Sequence, residues 1–247
     1  MGFGATPHKT GDFMDFKAKR KIDLSIGDIN IDSFLKTLHN EVLDTTKNII
    51  DLLINIVEFR DIESGQHSRR TRDLSEILIC EMLREPKFSG VLTDLGYDKI
   101  IRAMPLHDIG KIAIPDEILL KKGKLTDKEI KIIQRHPITG GDIITSVKSS
   151  LNSDYYTHCM DVCRYHHERY DGSGYPYGLK GPEIPISARI LAVVDVYDAL
   201  TSERPYKQPL PCKDAIGIIT EGIGTQFDPE IAMIFIELES KLKSEVI

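Results

Sequence analysis

The chain has 247 residues, of which 41% are hydrophobic and 28% charged, a balance that allows one large domain with a sizeable core and no disulfide staples. Its formal net charge of −6 excludes the broad basic footprint that binding to long nucleic acid requires. No run approaches the ~18 apolar residues of a membrane span. The opening MGFGATPHKTGDFMDF also lacks the apolar stretch of a secretory signal, so the cytoplasm is the expected compartment.

Residues 1–35 show no strong period and read as a tail or linker with at most one docked element, such as a short strand over Ile22, Leu24 and Ile26. Residues 36–247 form the expected main domain. Val42, Thr46, Ile49, Leu53, Ile56 and Val57 mark one face of a long helix from about Ser33 to Phe59, part of which can pair with a second chain as a homodimer. Leu74, Ile77, Leu78 and Met82 mark the next helix, with Pro86 and Gly90 punctuating its end. Asp98 opens a helix that closes before Pro105. Thr126 and Glu129 have the spacing of a capping box, which starts a helix near Asp127. His136-Pro137 and Gly140-Gly141 then interrupt it. Residues 155–165 read as a helix running into His166-His167. The string DGSGYP, residues 171–176, must be a loop, because it holds two glycines and a proline. A further helix spans Ser187 to Leu200. Asp228-Pro229-Glu230 gives the last helix a cap, a first-turn proline and an acid at its positive dipole end. No βαβ alternation and no internal repeat appears, and the expected class is all-α.

The histidines carry the chemical information. Glu63 and His67 stand four apart, so on a helix both project from one face toward a shared site, although a lone pair of this kind is more often a surface feature. His107 and Asp108 are adjacent and diverge by about 100° on a helix, so they reach a metal from different sides. A carboxylate there can bridge two ions with its two oxygens. His166-His167 offers two neutral nitrogens suited to a transition metal, and two consecutive histidines do not both fit comfortably in a core. His136, before a proline, reads alone as an ordinary helix-end histidine. Asp195 interrupts the apolar run ILAVVDVYDAL, where a buried carboxylate is costly unless paired or metal-bound.

Five histidines, two aspartates and one glutamate exceed the needs of a single catalytic metal, which points to two or three ions. The absence of thiolates favours Fe or Mn over a structural zinc site. Cys80, Cys159, Cys163 and Cys212 lack zinc-finger pairing and read as small apolar residues in a reducing compartment. Metals about 3.5–4 Å apart can clamp both oxygens of a phosphoryl displacement and bring a water pKa from ~16 toward neutrality.

Five strings in order, RDIESGQHSRR, LHDIGKIAIPDEIL, RHPITGG, HHERYDGSGYP and IPISARILAVVDVYDALTSERPY, resemble the HD-GYP family, the cyclic di-GMP phosphodiesterase branch of the HD superfamily. The likeness runs from about residue 41 to the string GTQFDPEIA near residue 232. It implies a compact multi-helix bundle with the metal cluster at its centre. It also implies metal ligation by Glu63, His67, His107, Asp108, His136, His166, His167 and Asp195, with Glu63 marking a trinuclear rather than a binuclear site. Lys111 matches a lysine on the scissile phosphate. Tyr175, Asp198, Ala199, Arg204 and Lys207 match positions lining the dinucleotide pocket. Asp198 lies three residues beyond Asp195 on one face, where it either orients a ligand or meets the substrate.

The implied reaction is hydrolysis of cyclic di-GMP by a metal-bridging hydroxide, with His107, Asp108 and Lys111 at the chemistry, linear pGpG as first product and GMP as a further one. Two alternatives stand beside it. One is a phosphodiesterase for another cyclic dinucleotide such as cyclic GMP-AMP. The other is a catalytically silent module that binds cyclic di-GMP or a partner protein. Loss of ligands would mark the silent module, and none is lost.

Overall fold

The computed structural model describes residues 66–148, 153–203 and 208–244, and before them only residues 1, 25–26, 29–30, 33, 36–37, 41, 51–52, 54–58 and 60. The chain divides into two units, Met1–Asn48 and Ile49–Ile247. In the first, β1 (Ser25–Ile26) pairs antiparallel with β2 (Ile29–Asn30). The short strand expected over Ile22, Leu24 and Ile26 thus has its last residue in a two-residue ladder, and the other two positions lie outside the described residues. Most of the expected helix over 33–59, with its proposed dimer seam, also lies outside them.

The second unit is helical. Its described helices are α1 (His67–Met82), α2 (Pro86–Leu95), α3 (Tyr97–Ala103), α4 (Asp116–Leu119), α5 (Asp127–Ile133), α6 (His136–Ser146), α7 (Ser153–Tyr165), α8 (Ile186–Thr201), α9 (Cys212–Glu221) and α10 (Pro229–Ser244). Two short 3-10 turns, Met104–Leu106 and Ile109–Ala113, bracket His107 and Asp108. The all-α class holds. No described helix is long and apolar enough to cross a membrane.

The core explains which sequence signals succeed. Leu78, Ile79 and Met82 of α1, Leu92 of α2, Ile100 of α3 and Ile190 and Leu191 of α8 are fully buried. Seven such side chains contribute ~1.5–3 kcal/mol each, against the entropy of ordering the chain. Thr126 and Glu129 form the full capping box, with Glu129 accepting from the Thr126 amide at 2.7 Å. Asp228 caps α10 by accepting from the amides of Glu230 and Ile231 at 2.9 and 3.3 Å, and its other oxygen accepts from Arg189 at 2.6 Å.

Three punctuation readings need correction. Pro86 begins α2 instead of closing α1, since a proline loses nothing at a first helical turn, where its missing N–H has no partner to reach. Gly90 lies inside α2. Gly140 and Gly141 lie inside α6. There they admit neighbours: a Cβ on Gly140 would touch Cys163 and Ile109, and one on Gly141 would strike the Arg164 side chain. Helix α9 had no reading in the sequence.

Candidate metal centre

The candidate ligand residues come from separate elements that meet in the middle of the second unit. His67 opens α1, His107 follows the first 3-10 turn, and Asp108 precedes the second. His136 opens α6, His166 and His167 follow α7, and Asp195 lies within α8. Gly110 makes the meeting sterically feasible. A Cβ there would collide with the His136 carbonyl oxygen and the Gly140 amide nitrogen, so only glycine lets the 107–111 segment pass so close to α6.

Two groups of ligand atoms result. Asp108, His136, His166 and His167 form the first, and His67, His107 and Asp195 the second, with the atoms of each group all within 4.8 Å of one another. In the first group the Nε2 atoms of His136 and His166 stand 3.1 Å apart. In the second, the Nε2 atoms of His67 and His107 are 3.3 Å apart, and Asp195 Oδ1 lies 3.4 Å from His67 Nε2. Asp108 faces both groups. Its Oδ1 is 3.3 Å from His136 Nε2, and its Oδ2 is 3.4 Å from His107 Nε2.

The other ring nitrogen of each histidine fixes the tautomer. Nδ1 of His107 faces the Met104 carbonyl at 2.9 Å, that of His136 the Ile133 carbonyl at 2.7 Å, and that of His166 the Val162 carbonyl at 2.8 Å. Nδ1 of His67 faces Asp198 Oδ2 at 2.7 Å. Carbonyls and carboxylates only accept, so each of these four Nδ1 atoms carries a hydrogen, and each ring, when neutral, aims its Nε2 lone pair inward. Lone pairs at 3.1–3.3 Å beside ionised carboxylates repel one another unless a cation lies among them. That donor set fits transition-metal ions bound by imidazole and carboxylate.

The electrostatics agree. Burial opposes a charge on His107, but Asp108 beside it, with Asp195, outweighs this and raises its pKa to about 9. Burial opposes charge on Asp108 too, yet Lys111 and His107 hold its carboxyl well below the usual range. Burial, reinforced by His166, lowers His136 to about 4 against the pull of Asp108. Burial and the neighbouring His166 and His136 push His167 well below its ordinary value. The centre thus draws in positive charge at Asp108, where Lys111 Nζ sits 2.8 Å from Oδ2. A small open pocket reaches this point, lined among others by Glu58, His67, Asp108 and Lys111.

The remaining sequence-predicted residues fall out unevenly. Glu63, Arg204 and Lys207 lie outside the described residues. Tyr175 lies against the centre, its ring stacked on His167 with centroids 4.7 Å apart. Glu168, which the sequence did not single out, is buried and holds the loop beyond Tyr175 by accepting from the amides of Tyr177 and Leu179 at 2.8 and 3.0 Å. Ala199 is half-buried on α8. Asp198 is buried, and its oxygens are taken up by His67, Arg70 and Ser202. Of its two sequence alternatives, these contacts suit orienting a neighbouring side chain, that of His67. Arg70 was missed, as was Glu58, whose Oε1 accepts from the Ser68 amide at 2.6 Å and caps α1. Arg60 went unread too, and it holds the Ile112 and Ile114 carbonyls and Asp116.

A helical bundle with histidines and carboxylates gathered between its helices is the class that fold and site define. Residues 51–231 match the family described as HD domain, and the chain belongs to that family, in its HD-GYP branch. It is 38% identical over 208 residues to a cyclic di-GMP phosphodiesterase of Vibrio cholerae serotype O1, covering 84% of this chain and 42% of that protein. It is also 38% identical over 197 residues to a 3'3'-cGAMP-specific phosphodiesterase 2 of the same organism, covering 80% of this chain and 35% of that protein. The chain therefore spans less than half the length of either relative. Among solved structures, an HDG"Y"P protein from Bdellovibrio bacteriovorus shares the fold, with a TM-score of 0.55 at 16% identity over 81% of this chain and 64% of that one.

Proposed function

We propose that this chain is a metal-dependent phosphodiesterase that hydrolyses cyclic di-GMP to linear pGpG and onward to GMP. The observation that carries the reading is Asp108, whose two oxygens face two separate groups of inward-aimed histidine nitrogens. His67, His107 and Asp195 would hold one ion, and His136, His166 and His167 another, with Asp108 shared. Glu63 is the proposed ligand to a third. Iron and manganese suit the all-nitrogen-and-oxygen donors. Bound there, such ions supply hydroxide at neutral pH and offset charge on phosphorus-bound oxygens.

The chain's own residues do the rest. The backbone carbonyls behind His107, His136 and His166 keep those rings in one tautomer and orientation. Lys111, a point charge at the mouth of the cavity, moves from Asp108 toward a phosphate oxygen as negative charge develops there. Tyr175 presents an aromatic ring beside His167 for a base to stack on. Arg204 and Lys207 are the proposed grips on the dinucleotide's phosphate or guanine edge. The catalytic domain is proposed as residues 36–247, which contain the whole family match. The cytoplasm is the proposed compartment, which suits four unpaired cysteines.

A cyclic GMP-AMP substrate is the second reading, favoured by the likeness to the cGAMP-specific relative. One experiment addresses both. The purified chain, loaded with Mn(II) or Fe(II), is incubated with each dinucleotide and the products are separated by chromatography. The expected result is pGpG and then GMP from cyclic di-GMP at the higher rate. Faster turnover of cyclic GMP-AMP supports the second reading, and no turnover of either contradicts both.

A further inference from the structure

The three backbone-backed histidines have no counterpart at His67. Its Nδ1 donates to a side-chain carboxylate, Asp198 Oδ2, at 2.7 Å, from 131 residues away in sequence. That carboxylate is itself gripped by Arg70, with Nε 2.5 Å from Oδ1 and an Nη 3.0 Å from Oδ2, and by the Ser202 hydroxyl at 2.9 Å. Asp198 and His67 are both buried. Arg70 lies one turn beyond His67 on α1, while Asp198 lies one turn beyond Asp195 on α8. The chain Arg70–Asp198–His67 therefore ties together the two helices that supply two of the second group's three members, His67 and Asp195.

We infer that Arg70 is a positioning residue for metal binding, acting through Asp198 on the His67 ring and setting the affinity of the His67–His107–Asp195 group alone. This inference rests on the metal reading above. A carboxylate behind an imidazole fixes the ring's orientation and makes its inner nitrogen a stronger donor than a neutral carbonyl does. A carboxylate without such a grip would be free to turn away from the ring. Arg70, through two contacts, holds it in plane against His67. The first group has no contact with this relay among the described hydrogen bonds and ion pairs. Its His136 and His166 are backed by carbonyls of their own local helical turns.

The test is a titration of chelator-stripped full chain with Mn(II), read as stoichiometry and Kd by equilibrium dialysis, in wild type, His67→Ala, Arg70→Met, Arg70→Lys and Asp198→Asn. His67→Ala identifies the class of site that contains His67. The expected result is that Arg70→Met weakens that same class ~10–100-fold, the usual loss for an outer-shell partner of a metal ligand. Every other class stays at its wild-type Kd. Arg70→Lys should recover part of the loss, since it restores charge without the two-point grip. Asp198→Asn, which preserves size and keeps an acceptor for Nδ1, should weaken the same class and serves if Arg70→Met does not fold. An unchanged Kd in the variants over a wild type that binds two or more ions overturns the inference alone. So does equal weakening of all classes. Fewer than two ions in the wild type overturns the metal reading and the inference with it.

Discussion

The two groups differ in how one histidine is aimed, since His107 of the second is backed by the local Met104 carbonyl just as two histidines of the first are backed by theirs. His136 and His166 of the first are aimed by carbonyls three or four residues earlier in their own turns, Ile133 and Val162. His67 of the second is aimed by a carboxylate from another helix, which a third side chain holds in place. A ring aimed by local backbone takes its orientation when its own turn forms. The orientation of His67 is set only once α1 and α8 have packed. Asp108 faces both groups.

The largest effect should come from removing the joint. Asp108→Ala takes a carboxylate oxygen from both groups at once, and it should abolish turnover and lower the metal content in both. Retention of full metal content would show that the groups are independent. Next is Lys111→Ala, expected to lower kcat by ~10²-fold or more, the range for losing one charge-stabilising donor, with metal content unchanged. Near-wild-type turnover would mean that Lys111 serves only to neutralise Asp108.

A smaller effect is expected at Glu63. Glu63→Ala should lower the metal count by about one, with both described groups still filled and turnover reduced but measurable, since two metals suffice to generate hydroxide. Equal counts in variant and wild type would make the centre binuclear. Gly110→Ala probes the close approach that brings the groups together. The added methyl must displace α6 or the 107–111 segment, at a cost of ~1–3 kcal/mol for overpacking, read by chemical denaturation.

A further test, of stability and not of turnover, concerns the packing of α7, the helix that leads into the first group. Burial raises the Asp161 carboxyl from its ordinary value of 3.8 to about 7. A carboxyl whose pKa is raised on folding favours the protonated fold, so stability falls as pH rises from about 4 through about 7. Asp161→Asn should therefore stabilise the protein at pH 8 and leave it unchanged near pH 3. A gain that is the same at both pH values would contradict a buried titrating group.

This difference between the groups also explains what the sequence reveals. His166-His167 is legible because its geometry is local, two adjacent rings at a helix end, whereas His136 alone reads as an ordinary helix-end histidine. Asp195 is legible because a carboxylate in an apolar helix needs a reason. Arg70 is not, since an arginine in a string such as HSRRTRD looks like a solvated helix face until α8 brings Asp198 to it. Glu58 and Glu168 are hidden for the same reason, as each satisfies backbone amides ten, or nine and eleven, residues away. The caps at Thr126 and Asp228 were readable, whereas Pro86 and Gly90 misled, as did Gly140 and Gly141. Their purpose is room for neighbours, and a linear pattern carries no neighbours.

The most direct measurement is anomalous diffraction from crystals of the chain grown with Mn(II), with peaks assigned at the manganese edge. Two peaks are predicted at the described centre, one within reach of His136, His166 and His167 and the other within reach of His67, His107 and Asp195, with Asp108 between them. A single peak at the centre, or none, would contradict the account.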